Sequence, residues 1–423
     1  TIAGTINGAS AGEGTLQVTG TLKTFFGAIG TTRIDALDID AAVSFSSSVT
    51  TTTATVDGVI NTASSLNVST TSTLAANVTT STTQTYTGAV TLSADTTLTS
   101  TNSAISFGST IDSDSTDRDL SFVTGSGDIS VTGAIGGSNT LDVLTVNNTG
   151  TLTLSSDVTA TTMTLTHTGG TTIGGTLTAT TVNLTDTTDA ASITFNGNVT
   201  ATTLNTAAEA YNVIFNGTTS TITNAATFSN SGYVTFGNAT GDTTTFTGGV
   251  TATAPSQVNL AGTVQTTNTT MTLGDAGTPI VLDANTTLSG NTAGDIALGG
   301  TVNGAYSLTA NTTGDTTFTL AVGGSTALSS LTTNSGGTTY INGGAVTTSG
   351  AQTYNDAVVL GADTTLTTTN SNVTFSSTVD SDSTSPKRDL TLTLGSGSAT
   401  FSGIVGTTSL ADISLNSSAT FNA

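Results

Sequence analysis

A single-stranded parallel β-helix (β-solenoid) of ~20 residues per coil is the all-β fold class this sequence predicts. Three observations point to it. The composition is rich in β-branched residues and poor in charge. Apolar residues alternate with period two. Short strings recur with a period of ~20 residues along the 423-residue chain.

Composition comes first. Thr supplies about a quarter of the residues, only 8% are charged, and proline occurs just three times, as Pro255, Pro279 and Pro386. Disordered chains are poor in β-branched residues and rich in Pro, Lys and Glu, so this is not a disordered composition. Thr, Val and Ile fit a pleated, half-buried surface. With 35% hydrophobic residues at short regular intervals, the core is expected as many thin layers.

The alternation is plain in Ile193 and Phe195, Val213 and Phe215, and Val234 and Phe236. It marks strands with one buried face, and Gly, Asn and Asp punctuate them as turns. The strings VTATTMTL, LTATTVNL and VTATTLNT begin at Val158, Leu177 and Val199, nearly evenly spaced. One such repeat cannot bury its own apolar stripe, so neighbouring coils must share a core. Phe195, Phe215 and Phe236 are expected to stack inside, and Asn196 and Asn216 at a corner as an amide ladder. Roughly 20 coils at strand spacing give a rod on the order of 100 Å. A β-sandwich array would repeat near ~100 residues around an aromatic anchor, and neither sign is present.

A longer repeat overlies the short one. Residues 84–116 and 352–384 are identical at 23 of 33 positions, and similarity continues to 133 and 403. The expectation is one continuous solenoid over 1–423 with this internal duplication (84–133 and 352–403). Both ends, TIAGTINGAS and SLNSSATFNA, are solenoid-like text. That leads us to expect a fragment of a longer chain, or identical rods joined end to end through strand edges.

The duplicated string AQTYNDAVVLGADTTLTTTN (351–370), with its partner at 84–102, resembles repeats of filamentous-haemagglutinin-like exoproteins. The resemblance implies a right-handed parallel β-helix at the bacterial surface, outer-membrane-associated or secreted. Such exoproteins are often exported by two-partner secretion, are related in design to autotransporter passengers, and commonly serve adhesion, aggregation or biofilm. The family has no catalytic residues to carry over.

Charge and chemistry narrow the function. A net charge of −22 with five basic residues opposes binding to nucleic acid. No long unbroken apolar run predicts membrane insertion. Cys is absent and His167 is the lone histidine, so the usual transition-metal ligand sets and a catalytic triad are not expected. Three of the five basic residues, Arg118, Lys387 and Arg388, fall in the equivalent duplicated loop; the others are Lys23 and Arg33. Repeated residues read as architecture, so no enzyme is expected. The acidic loops DSDSTDRD and DSDSTSPKRD are the metal candidates, with Asp112, Asp114, Asp117, Asp119, Asp380 and Asp382 as oxygen ligands suited to Ca²⁺. No other cofactor is expected. Asp35, Asp38 and Asp40 form a weaker cluster. Thr-x-Thr strings raise ice binding, which a turn length wandering by a few residues opposes. Asn-x-Ser/Thr triplets, as at Asn77 and Asn198, permit glycosylation. The expected function is a non-catalytic structural rod of a surface filament, sheath or stalk, with an adhesin for cells, glycans or surfaces as the alternative. Its partners would be further coils, identical chains or cell-surface glycans.

Overall fold

The computed structural model describes residues 1–21 and 23–422. Among them the chain is all-β, and parallel stacked strands form a β-solenoid of about 19 turns at roughly 21 residues each. Contacts group it into two compact units, Thr1–Tyr211 and Asn212–Ala423.

In the first unit the recurring strings become rungs. Val158–His167, Leu177–Leu184 and Val199–Thr206 pair in parallel, with Val158, Leu177 and Val199 in register, and likewise Met163, Val182 and Leu204. All six side chains are buried. Alternate residues of a strand point to opposite faces, so a fixed register places apolar residue over apolar residue through successive turns. A second inner column runs Val68, Tyr86, Phe107, Val131, Leu154, Ile173 and Phe195. The Tyr86 and Phe107 rings stack with centroids 4.9 Å apart.

The second unit is built the same way. Phe215 and Phe236 are register partners, with ring centroids 6.1 Å apart, as the period predicts. Tyr354, Phe375, Phe401 and Phe421 form a stack with steps of 5.2, 4.9 and 4.7 Å. Offset stacking adds to apolar burial, so aromatic columns stiffen the interior.

Turn length varies more than the strings imply. Val43 pairs with Ile60 across a short turn, and Val373 pairs with Ala399 across a long one. Strand register survives because the extra residues lie in corners. Many corners take a positive φ, and the two duplicated ones show why. Gly125 and Gly395 have φ of 58° and 60°. A Cβ on either would lie 2.3 Å from the Oδ1 of Asn102 or Asn370 one turn below. Glycine suits both corners: it takes the left-handed backbone freely, and a Cβ would press on an oxygen that accepts the Ser126 or Ser396 N–H.

Candidate functional site: the corners of the turns

Polar chemistry gathers at the corners in two layers. On the inner layer, buried hydroxyls fold back onto carbonyls two or three residues ahead. Thr80 donates to Thr82 O at 2.6 Å, Thr124 to Gly127 O at 2.7 Å, and Thr348 to Gly350 O at 2.6 Å. Each satisfies a carbonyl that the bend removes from the strand ladder.

On the outer layer, Asn and Asp clip one turn to the next. Asp95 accepts the Asp119 N–H at 3.1 Å, Asp128 that of Thr151 at 2.8 Å, and Asp157 that of Thr176 at 2.7 Å. In the second unit Asn303 accepts the Ser325 N–H at 2.9 Å and Asn372 that of Ser398 at 3.0 Å. Amide-to-amide stacking also occurs: Asn205 Nδ2 donates to Asn183 Oδ1 at 2.8 Å. The sequence marks these residues as turn formers, but it does not reveal an acceptor for an N–H one full turn onward.

The acidic loops are made of such clips. Asp112 accepts the Ser138 N–H at 2.8 Å, and Asp380 that of Thr408 at 2.8 Å. Asp119 accepts the Val143 N–H at 3.2 Å. Arg118 grips Asp114 with two hydrogen bonds of 3.0 and 2.9 Å; Arg388 grips Asp382 with two of 2.8 and 3.0 Å. Hydrogen bonding to these guanidinium groups holds the Asp114 and Asp382 carboxyls below the ordinary carboxylate value. Burial, with Asp95 and Asp142 nearby, pushes Asp119 up. Asp117 is exposed. The duplication is faithful to single atoms: Ser113 and Ser381 hydroxyls accept the N–H of Arg118 and Arg388 at 3.0 and 3.2 Å.

Among the described residues, one trio of carboxylates brings its oxygens within 4.8 Å of one another: Asp38, Asp40 and Asp57. Strand register supplies Asp57, because Ile39 pairs with Val56. Asp35, which the sequence grouped with the first two, is not in the trio. Asp40 also accepts the Gln17 amide at 2.8 Å.

His167 lies at a strand end, with Nδ1 2.5 Å from Asp186 Oδ2. Tyr211 closes the same region: its hydroxyl donates to Leu184 O at 2.7 Å and accepts the Ala207 N–H at 3.0 Å. Burial pushes this phenol up to about 12.

A buried polar pair that occurs once in each unit has no forewarning in the sequence. Gln84 and Gln352 are fully buried. Gln352 Nε2 donates to Val346 O, Thr348 Oγ1 and Thr367 O at 3.2, 3.2 and 3.0 Å, and its Oε1 accepts the Tyr354 hydroxyl at 3.0 Å. Gln84 and Tyr86 repeat the arrangement at 2.8–3.3 Å. Desolvation raises both phenols well above their ordinary value.

No protein-family model, curated protein or solved structure matches the chain.

Proposed function

We propose that the chain is a non-catalytic extracellular structural protein, a stiff segment of a bacterial surface filament, sheath or stalk. One observation supports this above the rest. The best-organised charged corner, a bidentate Arg–Asp pair braced by a Ser hydroxyl, occurs twice in the same form, at Arg118–Asp114 and Arg388–Asp382. A catalytic constellation is unique within its protein, whereas a repeated one closes turns. The polar groups are engaged in cohesion between turns, which suits a rigid, protease-resistant element. Its partners would be further turns of the same chain or copies stacked end to end through strand edges. The resemblance to filamentous-haemagglutinin-like repeats supports a role at the bacterial surface.

The adhesin reading draws on the exposed loop at residues 384–387, between the Asp382 and Arg388 partners. Such a loop can present a surface to cells or glycans. Negative-stain images of material from the native cell surface separate the two. Continuous fibres are the expected result; isolated rods ending in a knob would favour the adhesin. Turnover of a polysaccharide by the purified chain would end both readings.

A further inference from the structure

Within the second unit, ten successive turns place a threonine at the same outward strand position, from Thr219 to Thr420. Thr263, Thr287, Thr309, Thr332 and Thr353 are five consecutive members, each a register partner of the next. The turn from Thr243 to Thr263 is short and that from Thr374 to Thr400 is long, yet no member of the column is displaced. The variable turn length that opposed a regular array in the sequence is therefore absorbed by the corners.

Strand preference alone does not explain the column. Thr favours any exposed strand. Two long outward columns of the same unit lie on equally regular parallel strands and are mixed. One passes through Thr272, Ala297, Thr317, Tyr340, Val359 and Asp380. Another holds Ile214, Thr235, Asn259 and Val281. Shorter all-threonine runs occur elsewhere, as at Thr347, Thr367 and Thr393 and at Thr227, Thr251 and Thr272, but only this column keeps threonine through ten turns. Two residues further along each of its strands lies a second column, uncharged and polar in all ten turns, including Thr245, Gln265, Ser289 and Asn334. Side chains cross-brace it: Gln265 donates to Thr245 at 2.9 Å and Ser376 to Asn355 at 2.9 Å. In a chain of net charge −22, neither column carries a charge.

We propose that this face binds ice. Strand stacking repeats the hydroxyl–methyl group about every 4.8 Å, close to the repeat of a row of water molecules in ice. A column of identical groups, one per turn, is complementary to a partner that repeats along the same direction. The lack of charge means that no ion must be stripped of water on contact. The strand ladder fixes the groups beforehand, so docking costs little conformational freedom. The aromatic residues of these strands, Phe246, Tyr354, Phe375 and Phe401, are buried inside, and Phe421, exposed on the last turn, continues their inner stack rather than the outward column. The face thus lacks the aromatic platform that a sugar ring would stack on. This inference goes beyond a structural role and does not depend on it.

The test grows ice slowly from a solution of the full chain and measures the fraction taken into ice, together with thermal hysteresis. The chain is expected to enter ice. Thr309→Lys with Thr332→Lys should lower uptake at least tenfold, while Thr272→Lys on the mixed column should leave it unchanged. Circular dichroism melts check the fold. Should the lysine pair unfold, Thr332→Tyr, a good strand former that interrupts the threonine column, must still lower uptake. Exclusion of the wild-type chain from ice overturns the proposal. So does equal loss in Thr272→Lys, or full uptake by a folded Thr332→Tyr. Binding to insoluble neutral polysaccharide that the column variants abolish, with ice uptake unaffected, assigns the face to sugar and overturns it too.

Discussion

Replacing Tyr354 with Phe removes one oxygen from a sealed interior and leaves the Gln352 Oε1 without its donor, which sits 3.0 Å away. An uncompensated buried acceptor costs about 1–3 kcal/mol. Gln352→Leu does more: it strands the phenol and takes one donor from each of two carbonyls, Val346 O and Thr367 O. We expect about 2–4 kcal/mol for it, from the same cost counted over more than one group. In the double variant the Gln–Tyr bond is lost from both sides at once, so neither group is left stranded by the other, and only the two carbonyls still lack their donor. The cycle should therefore fall short of additivity by at least about 1 kcal/mol, as contacting residues do. Solenoids open in parts, so the readout is hydrogen exchange of the amides in Gln352–Tyr354 and Val373–Phe375, with urea unfolding alongside. The same cycle at Gln84 and Tyr86 is a built-in replicate. Additive losses, or a neutral Tyr354→Phe, would refute the assignment of this pair as one coupled unit.

Two further outcomes follow from the corners. Asp356 is 2% exposed, accepts the Gly337 N–H at 3.0 Å and the Thr339 hydroxyl at 3.3 Å, and is raised above its ordinary value mainly by burial. A native value above the unfolded one means that the native state holds the proton more tightly, so this group's contribution improves as pH falls through the native value and is lost as pH rises. Asp356→Asn keeps the N–H acceptor without the charge; its Tm should exceed wild type at pH 7 and converge with it near pH 4, and a lower Tm at pH 7 refutes the account. For the acidic loops, EDTA is expected to leave Tm unchanged, because their carboxylates are engaged by Arg118, Arg388 and backbone amides; a fall of several degrees would reveal a bound divalent cation.

The rungs were legible because strand period and turn period are both written in apolar residues. Val158, Leu177 and Val199 could be aligned by eye, and they pair residue for residue. What lay beyond the sequence depends on partners one turn away. Nothing local distinguishes Asp128, which clips the next turn, from Asp117, which is exposed. Gln is ordinarily a surface residue, so Gln84 and Gln352 read as repeat text until their burial is seen. Asp57 joins Asp38 and Asp40 only through register, across a turn shorter than the strings imply. Corner length carries no periodic signal, and it alone decides which polar residues meet.

The twin segments also create a hazard during folding. Gln84–Tyr86 and Gln352–Tyr354 have the same three residues and the same bonding demands. An incoming strand that recognises one could settle on the other and skip the intervening chain. Discrimination must come from the floors above, which differ: beyond Phe107 the next ring, Phe122, meets it edge-on, whereas beyond Phe375 the ring of Phe401 lies flat. Correct assembly therefore depends on winding in order, each completed floor offering a template that its distant twin does not match.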